Sequence, residues 1–209
     1  MSAVESLCSL VATRGEAITP SRIRVDSFLN HRVECDAIDL VAEAAAEVLD
    51  GFRLDTVLTA EAGGIAPASA VARRLGLPLV YAKKFQSLGD TMPFFSRRIV
   101  SPTRGEEFDI GVSRRVFTHP GNVLIVDDVL AGGTTAEMLG DIAEEAGARS
   151  VHFMLVVEKT FQGGRKRLEG RGWRVSSLVP IRSLANGRIE IGSVEAPAEP
   201  EPTTPGFHP

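Results

Sequence analysis

The segment VLIVDDVLAGGTT, residues 123–135, is the most informative part of this 209-residue chain for both its fold and its chemistry. Its apolar start predicts a buried strand over residues 122–126. Two adjacent carboxylates, Asp127 and Asp128, follow that strand. A loop of small residues then leads into a helix predicted over residues 134–146, with Gly147 as its stop. A strand, a glycine-containing loop and a helix in this order favour a ligand site at the carboxyl edge of a parallel sheet.

The loop and the two acids suit different parts of one ligand. The small residues 131–133 let backbone N–H groups approach an anion, and Thr134 and Thr135 add hydroxyl donors at the positive end of the helix. Asp127 and Asp128 repel an anion, so we expect them to accept hydrogen bonds from vicinal hydroxyls or to stabilise a metal or a cationic carbon. A sugar phosphate would suit both features, with its phosphate at the loop and its hydroxyls at the two carboxylates. The stretch has neither the lysine of a Walker loop nor the GxGxxG spacing of a dinucleotide fingerprint.

The flanking sequence repeats the alternation of strand and helix. Further helices are predicted over residues 36–49, 65–75 and 165–168. Further strands are predicted over residues 55–60, 79–82, 151–157 and 174–179. Asp36 is the expected N-cap of the first of these helices, and Gly76 is the expected stop of the second. This alternation predicts a doubly wound α/β fold, in which helices cover both faces of a parallel sheet.

Residues 83–121 interrupt this alternation of strands and helices. They show no convincing helical pattern, and the alternating run EFDIGVSRRVF at 107–117 is typical of a β-hairpin. The segment carries seven Lys or Arg residues against four Asp or Glu residues, a local excess of positive charge. A long insertion in a compact domain is usually functional, so we predict a lid over the site.

Composition limits the classes of function. The chain is 44% apolar and 24% charged, which is enough to bury a sizeable core. Its net charge is −4, and three glutamates fall in the Pro-rich segment 193–209. No basic field for nucleic acid or a membrane surface is therefore expected. Two cysteines are too few for a disulfide framework or a structural zinc site. We expect a cytoplasmic protein with one domain over 1–192 and a disordered Pro/Glu-rich tail over 193–209.

The stretch VLIVDDVLAGGTT resembles the phosphoribosyl-pyrophosphate motif of type I phosphoribosyltransferases. Three further segments are similar to the xanthine phosphoribosyltransferases: RVDSFLNH at 24–31, EAGGIAPA at 61–68 and VVEKTFQGGR at 156–165. The resemblance runs from about residue 13 to residue 191. It implies a five-stranded parallel sheet with a flexible hood and a small base-covering subdomain, usually in a homodimer.

The same resemblance implies transfer of the 5-phosphoribosyl group from phosphoribosyl pyrophosphate to xanthine, giving xanthosine monophosphate and pyrophosphate. Mg²⁺ would arrive with the pyrophosphate substrate, and the protein would hold no metal of its own. The implied catalytic residues are Asp127 and Asp128, which face the ribose 2′- and 3′-hydroxyls. The implied 5′-phosphate contacts are Ala131, Gly132, Gly133, Thr134 and Thr135. The implied pyrophosphate contacts are Ala62, Gly63, Gly64, Lys83, Lys84 and the hood residue Arg104.

For the purine, the resemblance implies Ile23, Asn30 and Lys159. An asparagine offers both a donor and an acceptor to a purine edge, and an ammonium group suits an oxygen-rich, readily ionised ring. The other interpretation of Lys159 is a strand-end salt bridge to its neighbour Glu158.

Two functional alternatives stay open. The loop reads AGGTT where the xanthine enzymes more often have an asparagine-containing ANG form, so guanine, hypoxanthine and adenine remain alternative bases. Some purine-operon repressors resemble the same domain and bind phosphoribosyl pyrophosphate without turning it over. About twenty residues precede Arg22, which is too short for a winged helix and favours the enzyme.

Overall fold

The computed structural model describes residues 1–86, 93–100 and 107–194. Arg104 and the predicted tail from residue 195 onward lie outside the described residues. The described α-helices are α1 (Ala3–Arg14), α2 (Cys35–Val48), α3 (Ile65–Leu75), α4 (Thr134–Glu145) and α5 (Gly164–Glu169). The described strands are β1 (Glu16–Thr19), β2 (Arg22–Arg24), β3 (Thr56–Ala60), β4 (Leu79–Phe85), β5 (Phe94–Val100), β6 (Glu107–Ser113), β7 (Asn122–Leu130), β8 (Ser150–Lys159), β9 (Arg174–Ser183) and β10 (Glu190–Ile191).

The main sheet has the strand order β10-β9-β8-β7-β3-β4-β6-β5. Its five central strands, from β9 to β4, are parallel to one another. Antiparallel strands extend both edges, with β6 and β5 beside β4 and β10 beside β9. Strands β1 and β2 form a separate antiparallel hairpin. The predicted α/β fold with a mostly parallel sheet is confirmed, and the parallel part has the five strands that the resemblance implied.

The two faces of the sheet carry separate apolar cores. Successive side chains of a strand point to opposite faces, so Leu124 and Val126 pack in the core that α1, α2 and α3 cover. Ile125 packs in the other core, beneath α4 and α5, together with Trp173. The Trp173 ring fits over Gly140 of α4, where any Cβ would overlap it. Burial of both faces explains why the central strands read as continuous apolar runs.

Helix starts differ from the sequence prediction at two places. Helix α2 begins at Cys35, and Asp36 lies inside its first turn instead of capping it. The acidic side chain still suits the positive end of the helix. Helix α1 was absent from the predicted elements, although Ser2 and Glu5 form a complete capping box at its start. That spacing of a serine and a glutamate is a signal from which α1 was predictable.

Strands β4, β7, β8 and β9 all run further than predicted. Strand β7 continues past Val126 to Leu130, because its pairing with β8 runs on to Leu130 opposite Glu158. The two aspartates therefore lie within β7 and not beyond its end. The alternating run 107–117, predicted as typical of a β-hairpin, supplies strand β6. Strand β6 pairs with β5, which precedes it, and with β4.

A cluster of ion pairs lies along the outer face of α4. Arg97 of β5 and Arg114, just after β6, both bind Glu145, at 2.6 and 2.9 Å. Nearer the start of the helix, Arg171 binds Asp141 at 2.6 Å. The side chains in this α4 ion-pair cluster are partly exposed, so they attach the β5–β6 hairpin and the α5 region to one helix through solvent-accessible contacts.

The described helices contain no segment that is long and apolar enough to cross a membrane. Cys8 and Cys35 are both free, the first half-buried and the second exposed. No disulfide joins them.

Candidate active site

A cavity of about 410 Å³ opens at the carboxyl ends of β3 and β7. The loop after β3, the loop after β7 and the first turn of α4 form its walls. Its lining residues are Ala60, Glu61, Ala62, Gly63, Lys84, Asp127, Asp128, Val129, Leu130, Ala131, Gly132, Gly133, Thr134, Thr135 and Ala136. This is the edge of a parallel sheet at which α/β proteins bind ligands.

The loop after β7 leaves the start of α4 open to an anion. Gly133 occupies the N-cap position with a φ of 80°, a left-handed conformation that glycine adopts without strain. Because glycine has no side chain to cap the helix, the first N–H groups of α4 face the loop without a competing acceptor from that position. Thr134 and Thr135 add hydroxyl groups at the same end. The segment therefore has the backbone and side-chain donors that a phosphate group requires.

The loop after β3 approaches the aspartates closely. A Cβ at Gly63 would overlap the Asp128 carboxylate, and a Cβ at Gly64 would overlap Thr59 Oγ1 and lie 2.7 Å from Asp127 Oδ1. A side chain at either position would therefore force the aspartates or Thr59 to move. Glu61 fixes the start of this loop, since its Oε1 accepts a hydrogen bond from the Lys84 backbone N–H at 2.6 Å.

The two aspartates lie side by side in the wall of the cavity. Burial, followed by the neighbouring negative charge of Asp128, raises the pKa of Asp127 well above its usual range. The Asp128 backbone N–H donates to Asp127 Oδ1 at 3.0 Å, and the Val129 N–H donates to Asp128 Oδ1 at 2.8 Å. Such a pair gains full charge most easily when a cation or a developing positive charge lies beside it.

A second group of residues approaches the pair from the N-terminal part of the chain. A short π-helical turn, Asp26–Asn30, carries Asn30, whose Nδ2 donates to Asp128 Oδ2. Phe28 and Leu29 of the same turn are buried in the core and fix its position. Asn30 therefore connects this segment directly to the cavity.

Lys159 lies at the carboxyl end of the neighbouring strand β8. Its Nζ donates to the Ser21 carbonyl oxygen at 2.9 Å, beside Gln162 Nε2, which donates to the same oxygen at 3.0 Å. Partial burial lowers the pKa of Lys159. Ser21 belongs to the turn between β1 and β2, so Lys159 holds this hairpin at the end of the sheet. Ile23 of β2 is half-buried against the core of the same face.

Glu158 does not pair with Lys159, as one interpretation of the sequence suggested. Its buried carboxylate binds Arg165 through two bonds, of 2.6 and 2.9 Å. Arg165 also donates to the Val175 carbonyl at 2.8 Å. No spacing rule predicted this bidentate pair, because its partners are brought together by the turn after β8.

Most of the predicted site residues meet in the cavity, but several do not. Gly64 lies just behind the wall, in contact with Asp127. Lys83 is exposed outside the cavity, with its Nζ 5.6 Å from the centre of the Tyr81 ring, because neighbouring residues of β4 face opposite ways. Asn30 reaches Asp128, whereas Ile23 and Lys159 belong to the β1–β2 side and do not line the cavity.

The chain is similar to known phosphoribosyltransferases. The family model "Phosphoribosyl transferase domain" matches residues 26–178. A xanthine phosphoribosyltransferase of Ectopseudomonas mendocina is 36% identical over 188 residues, which span 90% of this chain and 99% of that protein. A xanthine phosphoribosyltransferase of Bacillus licheniformis is 38% identical over 194 residues, which span 91% of this chain and 100% of that protein.

A solved structure supports the same architecture. The adenine phosphoribosyltransferase (APRTase) of Giardia lamblia, complexed with 9-deazaadenine, aligns with a TM-score of 0.68. The alignment covers 86% of this chain and 98% of that chain at 20% identity. At this identity, the similarity shows the fold alone.

Proposed function

Because this chain belongs to the phosphoribosyltransferase family, we propose that it transfers the 5-phosphoribosyl group from phosphoribosyl pyrophosphate to xanthine. The products are xanthosine monophosphate and pyrophosphate. One observation supports this more than any other: the acid pair and the open start of α4 line the same cavity of about 410 Å³. In that cavity, carboxylates that can accept hydrogen bonds from sugar hydroxyls lie beside N–H and O–H groups that can donate hydrogen bonds to a phosphate. The choice of xanthine rests on the names of the relatives that span the whole domain.

The donor sugar binds with its phosphate at α4. The backbone of residues 131–133 and the hydroxyls of Thr134 and Thr135 hold the 5′-phosphate. Asp127 and Asp128 accept hydrogen bonds from the ribose 2′- and 3′-hydroxyls.

The pyrophosphate lies against the loop after β3, at Ala62, Gly63 and Gly64, with Lys84 supplying positive charge. The carboxylates of Asp127 and Asp128 are oxygen ligands of the kind that Mg²⁺ prefers. The described residues contain no group of three or more His, Cys, Asp or Glu side chains that could hold a metal. The two carboxylates would hold a cation that arrives with the donor. Bound in that way, Mg²⁺ supplies charge neutralisation for the leaving pyrophosphate.

The transfer is a displacement at the anomeric carbon. A purine nitrogen that has lost its proton to solvent forms the new C–N bond as the C–O bond to pyrophosphate breaks, and the electron pair of that C–O bond leaves with the pyrophosphate. Positive charge develops on the sugar in between, and the field of Asp127 and Asp128 favours it. No covalent intermediate with the protein is needed. Water must stay away from the donor, because it would otherwise hydrolyse it. The described part of the predicted lid over 83–121 belongs largely to β4, β5 and β6 of the main sheet, so we assign it no closing motion.

The purine binds between the cavity and the β1–β2 hairpin, where Ile23, Asn30 and Lys159 provide an apolar surface, an amide and a cation. The remaining predicted contacts are Lys83 and Arg104. Since Lys83 is exposed outside its own cavity, we assign it to the pyrophosphate of a neighbouring subunit in a cytoplasmic homodimer.

A turnover assay with labelled phosphoribosyl pyrophosphate and five bases tests this function. We expect product with xanthine at a kcat/KM higher than with guanine, hypoxanthine, adenine or uracil. Preference for another purine would overturn the choice of base and keep the reaction. Binding of the donor without turnover on any base, together with a gel shift of promoter DNA, would favour the repressor alternative.

A further inference from the structure

Arg167, in the short helix α5, contacts the loop that we assign to the 5′-phosphate. Helix α5 packs directly on this loop: a Cβ at Gly133 would lie 3.1 Å from Gly164 Cα and 3.5 Å from Arg167 Cδ. A Cβ at Gly164 would in turn overlap the Ala131 carbonyl oxygen. The two segments are therefore in contact without intervening side chains, and the Arg167 guanidinium lies beside the start of α4.

Arg167 makes a specific polar contact with the phosphate loop. Its Nη1 donates to Thr134 Oγ1 at 3.2 Å and to Glu137 Oε2 at 3.2 Å. A guanidinium has only donors, so the Thr134 oxygen must act as the acceptor in this bond. The one hydroxyl proton of Thr134 is then directed away from Arg167. An anion at the open start of α4 is the acceptor that this proton can meet.

The same guanidinium offsets an unfavourable charge. Glu137 stands in the first turn of α4, where its carboxylate stabilises the helix but repels a phosphate bound at that end. Arg167 pairs with Glu137 at 3.2 Å, and Arg171 approaches the other carboxylate oxygen of Glu137 at 3.6 Å. Both arginines neutralise the charge of Glu137, and Arg167 in addition donates a hydrogen bond to Thr134.

We propose that Arg167 is a positioning residue of the 5′-phosphate site, which holds the Thr134 hydroxyl with its proton directed toward the phosphate. This inference rests on the proposed function. It assigns to α5 a part in donor binding that none of the sequence motifs indicated. Because Arg167 acts through Thr134, its loss weakens the binding of the sugar phosphate and leaves the chemical step unchanged.

Calorimetry with ribose 5-phosphate and with phosphoribosyl pyrophosphate tests the proposal. We expect Arg167→Ala to raise the dissociation constants of both ligands about fivefold, the loss of one hydrogen bond. The kcat at saturating donor and the KM for xanthine should stay within about twofold. Arg171→Ala is the matched control, because it removes the other arginine on Glu137, and we expect dissociation constants within about twofold of wild type. An unchanged affinity in Arg167→Ala, or an equal loss in both variants, would overturn the proposal.

A double-mutant cycle with Thr134→Val tests the route of the effect. In that background we expect Arg167→Ala to change donor affinity less than twofold. A full fivefold loss there would show that Thr134 is not the link. If a lower melting temperature reveals that Arg167→Ala folds poorly, Arg167→Met replaces it, since it keeps the aliphatic contact with Gly133. Wild-type protein that binds neither ligand would refute the proposed function itself, whereas binding that no Arg167 variant alters would refute only this inference.

Discussion

The donor end of the site and the base end are assembled differently. Asp127, Asp128 and residues 131–135 belong to one continuous segment that runs from β7 into α4. On the base side, Ile23, Asn30 and Lys159 come from β2, a π-helical turn and the end of β8. Hydrogen bonds from Asn30 to Asp128, and from Lys159 and Gln162 to the Ser21 carbonyl oxygen, connect these pieces. Within a continuous segment, the local backbone fixes the relative positions of the site residues. A site built from distant pieces depends instead on the tertiary contacts between them.

The largest expected effect comes from the residue that both ends share. Asp128→Ala removes the ribose acceptor and the partner of Asn30, so we expect kcat/KM for phosphoribosyl pyrophosphate to fall by about 100-fold or more. Steady-state kinetics and a melting curve would check this in a protein that stays folded. Asp141→Asn, on the outer face of α4, is the control and should keep wild-type kinetics. Equal activity in Asp128→Ala would reject the assigned role of the acid pair.

A glycine pair tests how tightly the donor end is packed. Gly64→Ala places a methyl group against Thr59 and Asp127, and we expect it to lower the free energy of unfolding by about 1–3 kcal/mol. At Gly132 the space is open to 4 Å, so Gly132→Ala should change stability by less than about 0.5 kcal/mol. Chemical denaturation of both variants gives the two values. Similar values would contradict the close approach of the loop after β3 to the acids.

His152 provides a reference at the opposite end of the sheet, away from both ends of the site. It is buried, and desolvation lowers its pKa from the ordinary histidine value of 6.5 to about 4. The unfolded chain therefore binds more protons between these values, so stability is full above pH 6.5 and falls as the pH drops toward 4. We expect a loss of about 2 kcal/mol at pH 5 relative to pH 8.

Denaturation curves across this pH range would measure the loss, and His152→Gln should flatten the dependence. Because His152 touches neither end, donor and base affinities of the folded protein should be the same in this variant as in wild type. An unchanged pH dependence in His152→Gln would exclude this histidine as its source.

The smallest expected effect lies at the base end alone. Lys159→Met removes the cation and its bond to Ser21, so we expect the KM for xanthine to rise about tenfold with an unchanged KM for the donor. Lys166→Met, on the exposed face of α5, is the control. An equal rise in both KM values for Lys159→Met would show that the donor end and the base end of the site do not bind their ligands independently.

The same contrast explains what could be predicted from the sequence. The loop after β7, the helix that follows it and the stop at Gly76 depend on residues that are close in the chain, and all three were predictable. The pairing of β6 with β5 and β4, and the bond of Glu158 with Arg165, depend on tertiary contacts that no local pattern encodes. The face on which Lys83 lies depends on the register of β4 in the sheet. The role of Arg167 was not predictable from a local pattern, because its partner Thr134 is 33 residues away in the chain.

The α4 ion-pair cluster has a consequence for how the molecule responds to ionic strength. Partly exposed ion pairs are screened by dissolved salt, whereas the apolar contacts of the central strands are not weakened by it. Concentrated salt therefore weakens these ion pairs, whereas Phe95 of β5 and Leu168 of α5 stay packed in the apolar core beneath the same helix. The electrolyte thus acts on the polar outer face of α4 and not on the apolar face that the helix turns toward the sheet.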